Sequence, residues 1–169
     1  MMIQITLPCR LSEHHIQTAV IGAGVIGLSE ARALAKDCRH EVLILEQSTS
    51  IDSGISSRNS EVSHAGIYYD RDTMPLKSQL CVNGKQMMYN YSRERDIPYK
   101  QCGKLLVATD ATQRDIGLPQ LIEYAYKNGV HDLQLLTKEH IAEYYEPCVK
   151  CTGGVLSPST GIVDSHAFI

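Results

Sequence analysis

Residues 18–46 read TAVIGAGVIGLSEARALAKDCRHEVLILE. A short apolar run, Thr18-Ala19-Val20-Ile21, meets Gly22-Ala23-Gly24-Val25-Ile26-Gly27. An Ala- and Leu-rich segment from Leu28 to Lys36 follows, and a second apolar run from Glu41 to Leu45 closes on Glu46. Strand, tight turn, helix, strand and acid in that order make one βαβ unit with a dinucleotide fingerprint. Gly22 lets the chain turn sharply out of the strand, Gly24 leaves room for a pyrophosphate against the backbone, and Gly27 lets the helix pack on the strand. The helix N-terminus offers unpaired N–H groups and the positive end of its dipole to phosphates. Between Gly27 and Glu46 lie 18 residues, close to the spacing of about 20 at which a carboxylate meets ribose hydroxyls. A carboxylate there repels a 2′-phosphate, which favours FAD or NAD over NADP. The plain alternative is a βαβ unit whose Gly-rich turn holds no ligand; the strand before, the helix after and the acid at this distance weigh against it.

Working outward, 169 residues suffice for one domain with a sizeable core. A net charge of −3 implies no polyanionic partner, and so no nucleic acid. No apolar run is long enough to span a bilayer; association with a membrane surface is left open. The six cysteines, at 9, 38, 81, 102, 148 and 151, are scattered and read as reduced thiols. Cys148-Val149-Lys150-Cys151 is a lone CxxC without the second pair or histidines a zinc site needs, so no metal is expected. His14-His15 reads as solvated, because adjacent residues do not share a face. Met1 to Gln17 reads as a tail or an alternative start, neither a secretory signal nor a good transit peptide.

Beyond Glu46, the loop Gln47 to Ser57 is Ser-rich and carries Gly54. The stretch SSRNSEVSHAGIYY, Ser56 to Tyr69, then returns small polar residues toward the nucleotide. Hydroxyls and an amide there suit phosphate oxygens, with Arg58 adding charge, and Gly66 suits a close approach to a flat ring.

Taken together, the fingerprint, Glu46 and SSRNSEVSHAGIYY resemble the D-amino-acid-oxidase-like superfamily of FAD-dependent oxidoreductases. Leu76-Lys77 to Leu80-Cys81-Val82, Tyr99 to Ala108, and Pro158-Ser159-Thr160-Gly161-Ile162-Val163-Asp164 narrow the likeness. With them the chain is similar to the L-2-hydroxyglutarate dehydrogenases and related oxidases over residues 18–169. The resemblance implies FAD and oxidation of a 2-hydroxy acid to a 2-oxo acid, with a quinone, electron carrier or oxygen as final acceptor. In eukaryotic members it implies mitochondria; otherwise a cytoplasmic or membrane-associated place is expected. It implies that Gly22, Gly24, Gly27 and Glu46 hold the ADP half of FAD, that Ser57, Asn59 and Ser60 lie near the pyrophosphate or flavin, and that His64 falls beside the isoalloxazine ring. The resemblance implies noncovalent FAD; a histidine in a similar stretch carries a covalent flavin bond in some distant relatives, so attachment at His64 is the lesser alternative.

The expected fold class is α/β: a Rossmann-like FAD-binding βαβ unit followed by the beginning of an α+β substrate domain. The expected divisions are a tail at 1–17, an FAD-binding part at 18–95 and the start of the substrate domain at 96–169. Family members are at least twice this length, so the resemblance implies a truncated chain. Its parallel strands would then keep an unpaired edge and an exposed apolar face.

Local patterns fill in the remainder. Helical spacing is expected over Met74 to Arg95, ended by Ile97-Pro98. A strand is expected at Lys104 to Thr109, and a helix from Ala111 to Asn128 interrupted near Gly117-Leu118-Pro119. Leu133 to Leu136 reads as a short strand, Thr137 as the N-cap of a helix ending before Pro147, and Gly153 to Asp164 as a hairpin or paired edge.

Oxidising a 2-hydroxy acid requires a base for the hydroxyl proton, and His64 is the expected one; the alternative is that it only shapes the flavin pocket. A dicarboxylate needs cationic partners, for which Arg58, Lys77 and Lys104 are the candidates. Three function classes remain at this point: the flavin-dependent 2-hydroxyacid dehydrogenase, a related amine or glycerol-3-phosphate oxidoreductase, and an inactive nucleotide-binding chain.

Overall fold

A computed structural model describes residues 15–37, 41–51 and 53–169. Cys9, His14, Cys38 and most of the expected N-terminal tail lie outside the described residues. The chain forms two compact units, one reaching to Arg58 and one spanning Asn59–Phe168.

In the first unit, β1 (Thr18–Ile21) leads through the glycine turn into α1 (Val25–Ala35) and then β2 (Val42–Leu45). The strands are parallel, with Thr18 opposite Val42 and Ile21 opposite Leu45. Gly22 has φ +100, a conformation open to glycine at little cost, and its N–H donates to the Leu45 carbonyl at 2.7 Å. A Cβ on Gly27 would stand 2.1 Å from the Gly22 carbonyl oxygen, so only glycine lets the helix lie this close to the turn. Val20 and Ala31 are buried, and a single 3₁₀ turn, Ile55–Ser57, ends the unit. β1 and β2 pair only with each other among the described residues. Ile21 is 86% exposed and Leu45 50% exposed, so the expected open apolar face is present.

The second unit starts with the segment from Asn59 to Met74, which carries no strand or helix of its own among the named elements. Proline at the first turn, where its missing N–H costs nothing, opens α2 (Pro75–Glu94). Asp96, with φ +55, and Ile97-Pro98 then stop the helix. β3 (Tyr99–Lys100) and β4 (Lys104–Ala108) follow. The expected break in the next helix is a π turn, Gln113–Gly117, which runs into α3 (Leu118–Lys127). Next come β5 (Gln134–Leu136) and α4 (Lys138–Tyr144). The Thr137 hydroxyl caps α4 by accepting from the His140 N–H at 3.2 Å. β6 (Gly153–Ser157), β7 (Ile162–Val163) and the short α5 (Ser165–Phe168) complete the chain.

Of the hairpin or paired edge expected over 153–164, the hairpin is not formed. β6 is instead the central strand of an antiparallel sheet ordered β4-β6-β5, and β7 pairs antiparallel with β3. The cause is the pair Gly153-Gly154. A Cβ on Gly154 would stand 2.6 Å from the Leu106 carbonyl oxygen and 2.9 Å from Ile141 Cδ1, so glycine admits β6 between β4 and α4. Val155 is then fully buried with Ala108 and Leu118, and a side chain of that size stabilises by about 1.5–3 kcal/mol on burial. A second cluster joins Ala65, Ile67, Ala125 and Val130.

Gly154→Ala is expected to lower unfolding free energy by about 1–3 kcal/mol through overpacking. Gly84, inside α2, would meet no atom within 4 Å, so Gly84→Ala is expected to raise stability by up to about 1 kcal/mol. Denaturant titration of both variants checks the pair; equal effects would refute the packing argument.

Candidate functional site

The first unit presents the glycine turn with its anion-seeking groups already engaged. Glu46 lies at the end of β2, and its carboxylate accepts from the Ala23 N–H at 2.7 Å and from the Ser48 N–H at 2.9 Å. These backbone donors, Ala23 first, hold its carboxyl below the usual glutamate range. The Val25 N–H, in the first turn of α1, donates to the Ser56 hydroxyl at 3.1 Å. A carboxylate and a hydroxyl oxygen therefore occupy acceptor positions on two amides of the turn, where an anionic ligand oxygen has the same chemistry. A Cβ on Gly24 would stand 3.1 Å from that Ser56 oxygen. These features fit the phosphates and ribose of a dinucleotide. Ser56, rather than Ser57, is the hydroxyl at the turn; Ser57 donates to the Gly54 carbonyl at 3.0 Å. Arg58 is exposed at the end of this unit.

In the second unit, the segment after Asn59 is pinned by its own backbone. The Asn59 side chain accepts from the Glu61 N–H at 2.7 Å, and Ser60 is exposed. Glu61 accepts from the N–H and hydroxyl of Ser165, which keep its carboxyl low as well. The Ser63 N–H donates to the Gly161 carbonyl at 2.8 Å, and the Gly161 N–H donates back to the Ser63 hydroxyl at 3.1 Å. That hydroxyl also lies 2.9 Å from the buried Tyr89 hydroxyl, whose pKa burial raises. A Cβ on Gly161 would stand 2.6 Å from the same Tyr89 oxygen. Further along, the Asn128 amide donates to the carbonyls of Gly66 (2.7 Å) and Tyr69 (2.6 Å).

Ser63, Ala65, Gly66 and Ile67 are consequently buried, and His64 and Tyr68 are turned outward. Gly66 has φ +78, and a Cβ there would stand 2.5 Å from Val82 Cγ2. The close neighbour of Gly66 in this structure is thus α2. His64 neighbours two tyrosines, each of which carries a lysine ammonium at its ring. Its ring centroid lies 6.4 Å from that of Tyr68 and 6.1 Å from that of Tyr69. The Lys104 ammonium sits 4.9 Å from the Tyr68 ring centre, and the Lys77 ammonium 4.5 Å from the Tyr69 ring centre. Exposed cation–π contacts of this kind contribute about 0.5–1 kcal/mol each. Two of the three cationic candidates named from sequence are therefore brought to His64's neighbours. The tyrosines, which place them there, were quoted in the sequence motif without a role. Asn128 was read only as a helix stop; its second use had no local signal.

A family model described as FAD dependent oxidoreductase (DAO) matches residues 17–169. The L-2-hydroxyglutarate dehydrogenase of Arabidopsis thaliana mitochondria is 42% identical over 159 residues, covering 94% of this chain and 32% of the relative. The human mitochondrial protein of the same name is 40% identical over 149 residues, covering 86% of this chain and 31% of the relative. The chain thus spans about a third of the length of these relatives. Among solved structures, the FAD-bound L-α-glycerophosphate oxidase of Mycoplasma pneumoniae superposes with a TM-score of 0.81 at 25% identity, covering 90% of this chain and 40% of that one. Glycine oxidase of Geobacillus kaustophilus gives 0.78 at 26% identity, covering 92% and 42%.

Because Glu46 and Glu61 titrate lower when folded than unfolded, their stabilising share is present above the unfolded value of about 4.3 and is lost as pH falls through the folded value. Melting midpoints are expected to hold from pH 7 to about 5 and then fall. Glu46→Gln removes one titrating group, so its acid limb is expected to be shallower; an unchanged slope would mean that Glu46 carries none of it.

Proposed function

We propose, from the premise that this chain belongs to the DAO family of FAD-dependent oxidoreductases, that its protein oxidises L-2-hydroxyglutarate to 2-oxoglutarate. The observation that carries the reading is His64 beside two tyrosines, each with a lysine ammonium at its ring. The name shared by the Arabidopsis and human relatives supports the same substrate.

In this reading Gly22, Gly24, Gly27 and Glu46 hold the adenosine and pyrophosphate portion of FAD, with Ser56 and Ser57 beside them; Asn59, Ser60 and Gly66 are the FAD candidates of the second unit. Glu46 exchanges its bond with Ala23 for ribose hydroxyls, and α1 turns its free N–H groups to the phosphates. Bound FAD supplies the acceptor for the two electrons that leave the substrate carbon as hydride. His64 takes the proton from the substrate hydroxyl, since an imidazole is the side chain that changes charge near neutral pH. Lys77 and Lys104 receive the two carboxylates, with Arg58 as a further cationic candidate. Residues 18–95 form the cofactor-binding part and 96–169 the start of the part that faces substrate. The acceptor that regenerates the flavin is a quinone, an electron carrier or oxygen. Both relatives are named mitochondrial, and the same compartment is proposed here for a eukaryotic source. Among the described residues no helix is long and apolar enough to cross a membrane.

In the flavin-loaded protein, His64→Ala is expected to lower kcat about 10²–10⁴-fold while leaving the flavin spectrum in place. Unchanged turnover with L-2-hydroxyglutarate removes His64 as the base. Dye reduction is expected with L-2-hydroxyglutarate and not with sarcosine or glycerol-3-phosphate; the reverse pattern would assign the chain to amine or glycerol-phosphate oxidation.

A further inference from the structure

We infer that Tyr68 and Tyr69, which both neighbour His64, determine selectivity for a substrate with two carboxylates, each ring seating one lysine ammonium. The inference rests on the reading of His64 and the two lysines given above, and extends it to two residues given no role there.

The two lysines come from separate elements. Lys77 stands in the first turn of α2, and Lys104 opens β4. A lysine stem has four rotatable carbons, and an ammonium left to itself samples many positions. What fixes these two is the ring beneath each, 4.5 Å from Lys77 at Tyr69 and 4.9 Å from Lys104 at Tyr68. Among the described residues neither ammonium is ion-paired with a carboxylate, so each charge is available to an anion.

The rings are fixed in turn by the backbone between them and the core. Ile67 is fully buried, and Asn128 holds the carbonyls of Gly66 and Tyr69. The tyrosines therefore set where the two ammonium groups stand. Positive charge alone attracts any anion. Two such charges, on rings that both neighbour one imidazole, favour a molecule with two carboxylates and a hydroxyl near them. A monocarboxylate engages one seat only.

The test uses glutarate and butyrate, which lack the hydroxyl and so bind without turning over. Calorimetry on the flavin-loaded full chain is expected to show tighter binding of glutarate. Tyr68→Leu and Tyr69→Leu are each expected to lower the glutarate-to-butyrate preference about 2- to 5-fold. Tyr68→Phe and Tyr69→Phe, which keep the rings, are expected to retain it. Leucine variants that stay folded by circular dichroism and keep the wild-type preference would overturn the inference and leave the reading of His64 standing. Loss of preference in the phenylalanine variants would overturn it too, since the hydroxyls and not the rings would then matter. No preference in the wild-type protein would bring down the dicarboxylate reading itself. Should the leucine variants misfold, the wild-type decides by NMR: glutarate must shift the ε-methylene signals of both Lys77 and Lys104, and a shift of fewer than both overturns the inference.

Discussion

Reciprocal backbone and hydroxyl bonds between Ser63 and Gly161 tie the start of the second unit to its end. They join positions 98 residues apart in the chain. From there the chain dips through Ala65, Gly66 and Ile67, and alternate burial leaves His64 and Tyr68 facing out. Tyr89 braces the Ser63 hydroxyl from α2 and donates to the Ser159 carbonyl at 3.1 Å, where Lys85 also meets the Ser159 hydroxyl. Burial lowers the Lys85 pKa, and Asp132 opposes that shift. Each polar group in this brace has a partner, which is the condition for placing so many of them beneath a site.

The first unit solves a different problem with similar means. Its turn exposes amide donors that demand acceptors. Glu46 and Ser56 meet that demand at Ala23 and Val25. An ionised carboxylate bound by backbone N–H groups is the same interaction a phosphate makes with them, so a turn that accepts the one is built to accept the other. The apolar side chains of β1 and β2, by contrast, find little cover within the described residues, as Ile21 and Leu45 attest.

Much of this was legible in the residue order. The βαβ unit was readable because glycine spacing, hydrophobic period and the acid all depend on neighbours within one supersecondary motif. The break near Gly117 and the Thr137 cap were readable for the same reason, each being decided within one turn of helix. The place of β6 was not. Small and apolar alternation over 153–164 is compatible with a hairpin, and only the approach of Leu106 and Ile141 to Gly154 shows why the strand lies between β4 and β5. Likewise nothing in the local order shows that Val82 of α2 lies against Gly66.

The sequence by itself determined the elements and the chemical inventory: a glycine turn, an acid at the right remove, a histidine and several cations. Local sterics and spacing suffice for those. Tertiary structure alone decided which cations stand at the tyrosine rings, since Lys77 and Lys104 lie 13 and 40 residues beyond His64 and meet its neighbours only after α2 and β4 have packed. Long-range burial, which fixes Ile67 and through it the two tyrosine rings, is the physical step that no local pattern encodes.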